Sequence, residues 1–443
     1  MIIYEFATML NMQTHIFYIK CEGRMSMYFI VGCTEKKTED NSVIVKSNLY
    51  DSEIKLSDEN FKKEYYLLKK NGCKDLKTIL EQELNRQGIL LDQNEVKEKV
   101  SEIKAYFDRV LVLTIMPTEA CNFRCVYCYE DHENITMKTD IVVGIERFLE
   151  KNYAKYNHIS ISWFGGEPTL CKDIVLRINR LIKSLVDNDK SKYTFTMTTN
   201  GYLLDEQSFL EYYDSGIVSY QITLDGWNHD KKRLLKNGQP TLKKIIENLD
   251  AIHKLPDTYK FNIMIRNNIL AGDRDFSWYD FLNEKYGEDV RFGILVRQVC
   301  DLGGEGVKSL DLLHVITGKK LIKDHINYID NLKIRCDNTG NIGLGNEMCY
   351  ASYKNGFTIR ASGKVEKCTV ALNKSQNEVG YIDGYGNLHL DLKKNEVWSE
   401  NILYDKCFSC NKIFSCLNNM CPFKRIMTEN YICDNYQSFE DEG

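Results

Sequence analysis

The sequence lacks a surplus of basic residues, a long apolar run and a secretion signal. Its 443 residues have a net charge of −5, which excludes the basic footprint of a nucleic-acid-binding protein. No apolar run is long enough to cross a bilayer, and residues 1–5 do not begin a basic region followed by an apolar one. We therefore expect a cytoplasmic protein with no nucleic-acid and no membrane partner. Proline is scarce, at five residues, which we attribute to the source genome and not to function.

Cysteine, by contrast, is abundant, with 16 residues in the chain. In a secreted protein this number would suggest disulfide bonds, but in a reducing compartment metal or cluster ligands are the better interpretation. The chain is long enough for two or three domains, and its 43% of apolar residues is ordinary for a globular protein.

Three of the cysteines lie close together after an apolar run at residues 110–115. The run predicts a buried strand, and Cys121, Cys125 and Cys128 follow on a loop, separated by three and two residues. Thiolates at this spacing can hold one corner of an iron–sulfur cluster. A cluster of four irons would keep one iron open to a ligand that is not protein. The alternative is zinc, which prefers four ligands, usually as two pairs of cysteines.

This loop resembles the signature of the radical S-adenosylmethionine (SAM) superfamily, in which an aromatic residue, here Tyr127, precedes the third cysteine. The resemblance implies an enzyme with a [4Fe-4S] cluster whose open iron binds the amino and carboxylate groups of SAM. It also implies an external electron donor such as flavodoxin or ferredoxin, reductive cleavage of SAM, and a 5′-deoxyadenosyl radical that takes hydrogen from a substrate.

Strands and helices alternate from about residue 108 to 310, which favours a parallel α/β structure. With the resemblance, the predicted fold class is α/β: an incomplete (β/α)6 radical SAM barrel with an N-terminal winged-helix-like module and a C-terminal cysteine-rich SPASM domain. The corresponding domains are residues 1–107, 108–310 and 311–443. Ligands are expected at the C-terminal ends of the barrel strands.

The resemblance also assigns residues to the SAM site. Gly165, Gly166 and Glu167 follow a predicted strand and match the loop that meets the methionyl amino group; paired glycines allow close backbone approach, and a carboxylate can accept from an ammonium. Thr223 takes the place of a serine that meets the SAM ribose, and Arg233 is placed to meet the SAM carboxylate.

The remaining cysteines resemble those of the SPASM extension, which bind two auxiliary [4Fe-4S] clusters. The resemblance implies one cluster on Cys349, Cys368 and Cys421, with Cys336, Cys300 or an open position as the fourth ligand. The alternative is a zinc ribbon formed by the later cysteines. A hairpin is predicted over residues 358–367, between the first two cysteines. The second auxiliary cluster would take Cys407, Cys410, Cys416 and Cys433.

Residues 1–107 are predicted to form strands at 15–20, 27–31 and 41–45, followed by three helices. Ser57 and Asp75 are the predicted N-caps of the first two helices, and Asp92 with Glu95 predicts a capping box for the third. This order resembles the peptide-recognition module of peptide-modifying enzymes, where a leader peptide adds a strand to the sheet. A purely structural N-terminal cap is the alternative.

Three functions remain open from the sequence. The first is a maturase that installs a thioether or carbon–carbon cross-link in a ribosomal peptide bound through its leader. The second is an anaerobic sulfatase maturase that forms formylglycine; in those enzymes an Asp follows the second SPASM cysteine, whereas Thr369 follows Cys368 here. The third is a non-catalytic iron–sulfur electron carrier, against which the glycine loop argues because a carrier needs no SAM pocket.

Overall fold

The computed structural model describes residues 27–50, 52–304, 306–337, 348–400, 407–408, 410, 413–417 and 421–427. The predicted strand at 15–20 and the predicted ligand Cys433 lie outside the described residues.

The N-terminal part contains short antiparallel strands and three helices. Strands β2, β3 and β4 form one sheet in that order, and β1 pairs with β5. The strands are β1 (Tyr28–Ile30), β2 (Cys33–Lys37), β3 (Val43–Ser47), β4 (Glu53–Leu56) and β5 (Leu90–Asp92), and the helices are α1 (Glu59–Asn71), α2 (Ile79–Arg86) and α3 (Gln93–Phe107).

The prediction that Ser57 caps α1 is wrong. The Asp58 carboxylate accepts hydrogen bonds from the backbone N–H groups of Asn60 and Phe61, at 2.8 and 3.2 Å. Ser57 instead accepts a hydrogen bond at 3.1 Å from the hydroxyl of Ser42, the residue before β3. The helix therefore begins one residue later than predicted.

The predicted cap of α2 is also wrong, while that of α3 is confirmed. A capping box of Thr78 and Glu81 begins α2, three residues after Asp75. Asp92 and Glu95 form the predicted reciprocal hydrogen bonds at the start of α3. Both boxes satisfy backbone N–H groups that have no partner inside the helix.

The middle of the chain forms six parallel strands in the order β13-β12-β10-β9-β8-β6. Helices cover one face of this sheet. The strands of this region are β6 (Val110–Ile115), β7 (Phe123–Cys125), β8 (His158–Trp163), β9 (Tyr193–Thr199), β10 (Ile217–Thr223), β11 (Arg233–Leu235), β12 (Asn262–Ile269) and β13 (Phe292–Gln298). The helices are α4 (Thr139–Asn152), α5 (Lys172–Leu185), α6 (Glu206–Asp214), α7 (His229–Lys232), α8 (Leu242–His253), α9 (Ser277–Tyr286) and α10 (Val315–Ile329).

The two faces of these strands differ in polarity. Alternate buried residues such as Ile161, Phe195 and Ile265 pack into one core with apolar residues of the helices. The opposite face is polar and partly exposed, and Ser162 and Thr196 on it are hydrogen-bonded at 3.0 Å. This fold is a partial (β/α) barrel with helices outside and a polar inner face, as predicted.

The C-terminal part continues the same sheet. Strand β14 (Arg335–Cys336) pairs with β13, and β15 (Gly356–Ile359) lies parallel to β6. The predicted hairpin is formed by β15 and β16 (Lys364–Glu366), with Gly363 at a φ of +87° in its turn. The remaining elements are β17 (Glu378–Ile382), β18 (Leu388–Leu390), α11 (Leu392–Ser399), α12 (Ile413–Cys416) and α13 (Pro422–Met427).

In the part of the chain that the structure describes, no helix combines the length and apolarity required to cross a membrane.

Candidate functional site

The cysteine loop is held by a short ladder that the sequence did not predict. Strand β7 pairs antiparallel with β11, and the register places Arg233 directly opposite Cys125. Next to the ladder, the Val126 N–H donates to the carbonyl of Lys232 at 2.9 Å. The ladder therefore fixes the second cysteine of the loop beside the predicted SAM-binding arginine.

The three thiols of this loop act on one another electrostatically. Burial raises the pKa of Cys121, and the nearby charges of Glu167, Cys125 and Cys128 raise it further. Burial and then Glu130 raise the pKa of Cys128 to about 12. Three neighbouring thiolates in such a place would need positive charge between them, which a metal cluster supplies. Among the described residues, no three His, Cys, Asp or Glu side chains are grouped so as to hold a single ion.

The glycine loop lies directly against the cysteine loop. A Cβ on Gly165, whose φ is +110°, would be 2.5 Å from the carbonyl oxygen of Thr118. A Cβ on Gly166 would be 2.2 Å from that of Ala120. The N–H groups of Gly166 and Glu167 donate to these two carbonyls at 3.2 and 3.0 Å. Glycine is therefore required for the contact between the loops, in addition to any contact with a ligand.

The carboxylate of Glu167 is buried and already bonded within the protein. It accepts from the N–H and hydroxyl of Thr169 at 3.1 and 2.6 Å, from the Thr199 hydroxyl at 2.7 Å and from the Asn200 N–H at 2.7 Å. Burial raises the pKa of Glu167, and these hydrogen bonds oppose the rise. Glu167 thus joins the ends of β8 and β9, which positions the glycine loop.

Tyr127 is the centre of a hydrogen-bond network. Its hydroxyl donates to the buried carboxylate of Asp225 and accepts from Arg233 Nη1 at 3.0 Å and from Asn268 Nδ2 at 3.1 Å. Asp225 also accepts from the Asn268 N–H at 2.9 Å. The sequence did not identify Asn268 as a site residue, because its only signal is that of a polar residue near the end of a strand. The network attaches the cysteine loop to the ends of β10 and β12.

Arg233 is a buried cation with a donor still available. Its side chain is 8% exposed, and its guanidinium carbon lies 5.7 Å from the ring centroid of Phe123 and 5.9 Å from that of Tyr127. Within the described residues, its Nε has no hydrogen-bond partner. A buried N–H without a partner costs about 1–3 kcal/mol, so an anionic ligand here would stabilise the site. This orphaned donor fits the predicted contact with a carboxylate.

The side chains of His229 and Thr241 hold the backbone near Arg233 in place. The buried ring of His229 accepts from the Asp225 N–H through Nδ1 at 3.2 Å, and its Nε2 lies 3.0 Å from the Thr241 hydroxyl. That hydroxyl donates to the Arg233 carbonyl at 2.6 Å. Burial lowers the pKa of His229 well below its usual value, so the ring is neutral. Since Nδ1 accepts, Nε2 has the hydrogen and donates to Thr241.

Thr223 lies at the C-terminal end of β10 and is 7% exposed. Its partner across the ladder to β12 is Arg266. The structure thus gathers Tyr127, Arg233 and the two loops at the strand ends where Thr223 also lies, as expected for ligands of a barrel.

The structure also brings together the trio Cys349, Cys368 and Cys421. Burial raises the pKa of Cys349 to about 12 and that of Cys368 to about 11, and the charge of Cys421 raises both. The candidate fourth ligands are placed on β14 and just after β13: Cys336 lies near Asp330 and Asp337, and Cys300 lies 3.5 Å from Gln298 Nε2. The later cysteines Cys407, Cys410 and Cys416 lie on or next to short helical segments near α3.

A buried charge network joins the two groups of cysteines. Arg360 of the hairpin turn donates to Glu119 through Nε at 2.9 Å, and to Glu366 and Asn373 through Nη1 at 3.2 and 3.1 Å. Glu119 precedes Cys121 by two residues, and Glu366 likewise precedes Cys368. No sequence pattern pairs these residues, because the contact depends on β15 lying beside β6.

Comparisons with known proteins agree with this geometry. Residues 115–269 match the radical SAM superfamily. GTP 3′,8-cyclase of Campylobacter jejuni subsp. doylei is 26% identical over 226 residues, 49% of this chain and 66% of its own. GTP 3′,8-cyclase of Tolumonas auensis is 29% identical over 39% of this chain and 49% of its own. The chain thus spans less than two thirds of the length of these relatives.

Two solved structures have similar folds. Streptococcus suis SuiB bound to precursor peptide SuiA has a TM-score of 0.52 at 16% identity, covering 92% of this chain and 99% of SuiB. Native anSMEcpe with bound AdoMet and Cp18Cys peptide has a TM-score of 0.51 at 16% identity, covering 75% of this chain and 95% of anSMEcpe. The comparisons thus identify a radical SAM domain, which is characteristic of an enzyme superfamily, at residues 115–269 of the chain.

Proposed function

We propose that this enzyme reductively cleaves SAM and abstracts hydrogen from a ribosomal peptide to install a thioether or carbon–carbon cross-link. The observation that carries the proposal is the meeting of the cysteine loop, the glycine loop and the orphaned Nε of Arg233 at one end of the barrel. The peptide class is supported by the likeness to SuiB, which covers 92% of this chain.

In this proposal Cys121, Cys125 and Cys128 hold a [4Fe-4S] cluster that leaves one iron for SAM. When bound, the cluster and SAM supply the one-electron cleavage that begins hydrogen abstraction. Arg233 donates from Nε to the SAM carboxylate, and Thr223 meets the ribose.

The remaining residues of the site position these groups. Gly165 and Gly166 allow the backbone to approach both the cysteine loop and the methionyl amino group, and Glu167 holds that backbone through its buried carboxylate. Tyr127 fixes the cysteine loop against Asp225. Placement within hydrogen-bond reach is the protein's main contribution to such chemistry.

The C-terminal cysteines are proposed to hold two auxiliary clusters, which would supply an electron acceptor or a site for a substrate thiolate. The grouping of Cys349, Cys368 and Cys421 supports the first of them. The second is proposed on Cys407, Cys410, Cys416 and Cys433.

The N-terminal sheet is proposed to bind the leader of the precursor peptide. Among the described residues, its outer strands β2 and β4 each pair on one side only, with β3, so that each presents an edge where a peptide strand can add. An external flavodoxin or ferredoxin is the proposed electron donor, and the protein is proposed to work in the cytoplasm.

Formylglycine formation is the second candidate function. It is favoured by the likeness to anSMEcpe, 95% of which this chain covers. Against it, Thr369 occupies the position after Cys368, so this chain has no carboxylate there to act as a base. GTP cyclisation has less support, because the matches to those relatives cover at most about half of this chain.

The test is a mass spectrum. Short peptides encoded beside the gene are co-expressed with the enzyme under anaerobic conditions, with Cys125→Ala as the control. We expect one peptide to lose the mass of two hydrogens, with fragments that locate a cross-link. Conversion of a sulfatase peptide to its aldehyde would favour the second candidate, and unchanged mass of every peptide would contradict the first.

A further inference from the structure

Two arginines lie on the same inner face of the barrel, next to the proposed SAM site. Arg266 is on β12 and Arg297 on β13, and the parallel register pairs Arg297 with Asn268, two residues beyond Arg266. Residues two apart on a strand share a face, so both side chains project from the polar side of the sheet. Thr223 pairs with Arg266 on that same face.

Arg266 is connected to the cysteine loop. Its Nε donates to Asn268 Oδ1 at 2.8 Å, and Asn268 Nδ2 donates to the Tyr127 hydroxyl at 3.1 Å. The charge of Arg266 also opposes the rise that burial causes in the pKa of Tyr129, the residue after Cys128. Arg266 therefore lies beside the proposed SAM site, to which it is linked through Asn268.

Among the described residues, neither guanidinium is paired with a carboxylate. Among the described residues, no carboxylate lies within ion-pair distance of either one; Arg297 donates from Nη1 to its neighbouring carbonyl, that of Val296, at 3.1 Å. Burial and the charge of Arg266 lower the pKa of Arg297, while the charges of Asp337 and Cys336 act in the opposite direction. Each guanidinium has five N–H donors, so most are available to a ligand.

We propose that Arg266 and Arg297 bind a carboxylate of the peptide substrate, from an Asp or Glu side chain or the C-terminus, and so place the reacting residue beside SAM. This inference rests on the proposed function. Paired guanidiniums suit a carboxylate because their planar forks form bidentate hydrogen bonds, and an anion removes the repulsion between two half-buried cations. The SAM carboxylate is assigned to Arg233. Its Nε has no partner among the described residues, and it pairs with Cys125 in the β7–β11 ladder.

The first test measures turnover of the precursor peptide by Arg266→Gln, Arg297→Gln and the double variant. A charge-assisted hydrogen bond is worth about 1.5–3 kcal/mol, so kcat/KM for the peptide should fall about 10- to 150-fold per arginine, mainly through KM. SAM cleavage without peptide should stay within about twofold for Arg297→Gln, and Lys at either position should restore part of the loss in peptide turnover. Arg180→Gln, an exposed position on α5, is the matched control.

The same experiment uses peptides in which each Asp and Glu is changed in turn to its amide. With the wild-type enzyme, one such change should lower kcat/KM for the peptide as much as removal of the arginines does. With the double variant, the same change should cause no further loss, as expected for interacting groups. A parallel fall in SAM affinity would assign the arginines to SAM and overturn the proposal. Equal turnover of every amide peptide, with the C-terminal amide included, would also overturn it.

A second test does not depend on turnover. The SAM-bound, cluster-loaded enzyme is treated with phenylglyoxal, and modified arginines are identified by mass spectrometry. We expect N-acetylglutamate to slow modification of Arg266 and Arg297 severalfold and N-acetylglutamine to have no effect. Lack of protection would overturn the carboxylate site, whereas protection without turnover of any peptide would contradict the proposed function alone.

Discussion

Gly166 has no room for a side chain, because an added Cβ would lie 2.2 Å from the Ala120 carbonyl oxygen. Gly166→Ala should therefore force the two loops apart and lower the free energy of unfolding by about 1–3 kcal/mol. The same shift should weaken SAM binding, measured by calorimetry on the cluster-loaded enzyme. Gly272→Ala is the control, since its Cβ would meet nothing within 4 Å. Equal stability and SAM affinity of the two variants would show that the loop contact is not required.

The neutral ring of His229 makes stability depend on pH. Its folded pKa is well below the usual value, so below about pH 6.5 the unfolded chain binds a proton that the folded ring does not. This part of the stability is present above that pH and is lost as the pH falls.

Thermal unfolding of the anaerobic protein at pH 7.5 and 5.5 measures this effect. His229→Gln, which can still accept and donate, should lose less stability between the two pH values than wild type. His314→Gln, at an exposed position just before α10, should behave as wild type. An identical loss in wild type and His229→Gln would contradict the assignment of a neutral ring.

Cysteines of the two groups should differ in their effects. Cys125→Ala removes a ligand of the proposed SAM cluster and should abolish SAM cleavage, measured as release of 5′-deoxyadenosine. Cys416→Ala removes a ligand of a proposed auxiliary cluster and should leave some cleavage but no peptide product. Equal SAM cleavage by Cys125→Ala and wild type would refute the assignment of Cys125 to the SAM cluster. Normal peptide product from Cys416→Ala would refute the assignment of Cys416 to an auxiliary cluster.

At the scale of elements, the β15–β16 hairpin is attached to the cysteine loop through Arg360. Arg360→Met would leave the buried carboxylates of Glu119 and Glu366 without their cation, which typically costs about 3–5 kcal/mol of stability. Chemical denaturation should show this loss, and iron content should fall with it. Arg335→Met on β14, an exposed residue, is the control and should cost far less. A loss no larger than that of the control would mean that the network does not join the two parts.

The barrel strands could be predicted because each is a run of apolar or alternating residues, and the strand predicted at 110–115 has the same bounds in the structure. The ladder of β7 and β11 could not be predicted, because a strand of three residues is too short to show an alternating pattern. The caps at Ser57 and Asp75 were misplaced because Asp58 and Thr78 offer equivalent side chains nearby.

At the scale of the whole molecule, one sheet extends from β14 through the barrel to β18. The cysteine loop follows β6 and Cys368 follows β16, and β15 lies between these two strands in the sheet. The sequence predicted which cysteines are functional candidates from their spacing. It could not predict Asn268, Arg360 or the arginine pair of the inner face, because their contacts join strands distant in the chain.

The most direct test of the account is electron paramagnetic resonance of the anaerobically reconstituted, reduced enzyme before and after SAM is added, with metal analysis of the same sample. We predict iron at the Cys121, Cys125 and Cys128 loop and a spectrum that changes when SAM binds to the open iron. Cys125→Ala should show no such change. Zinc in place of iron at this loop, or a wild-type spectrum unaltered by SAM, would contradict the account.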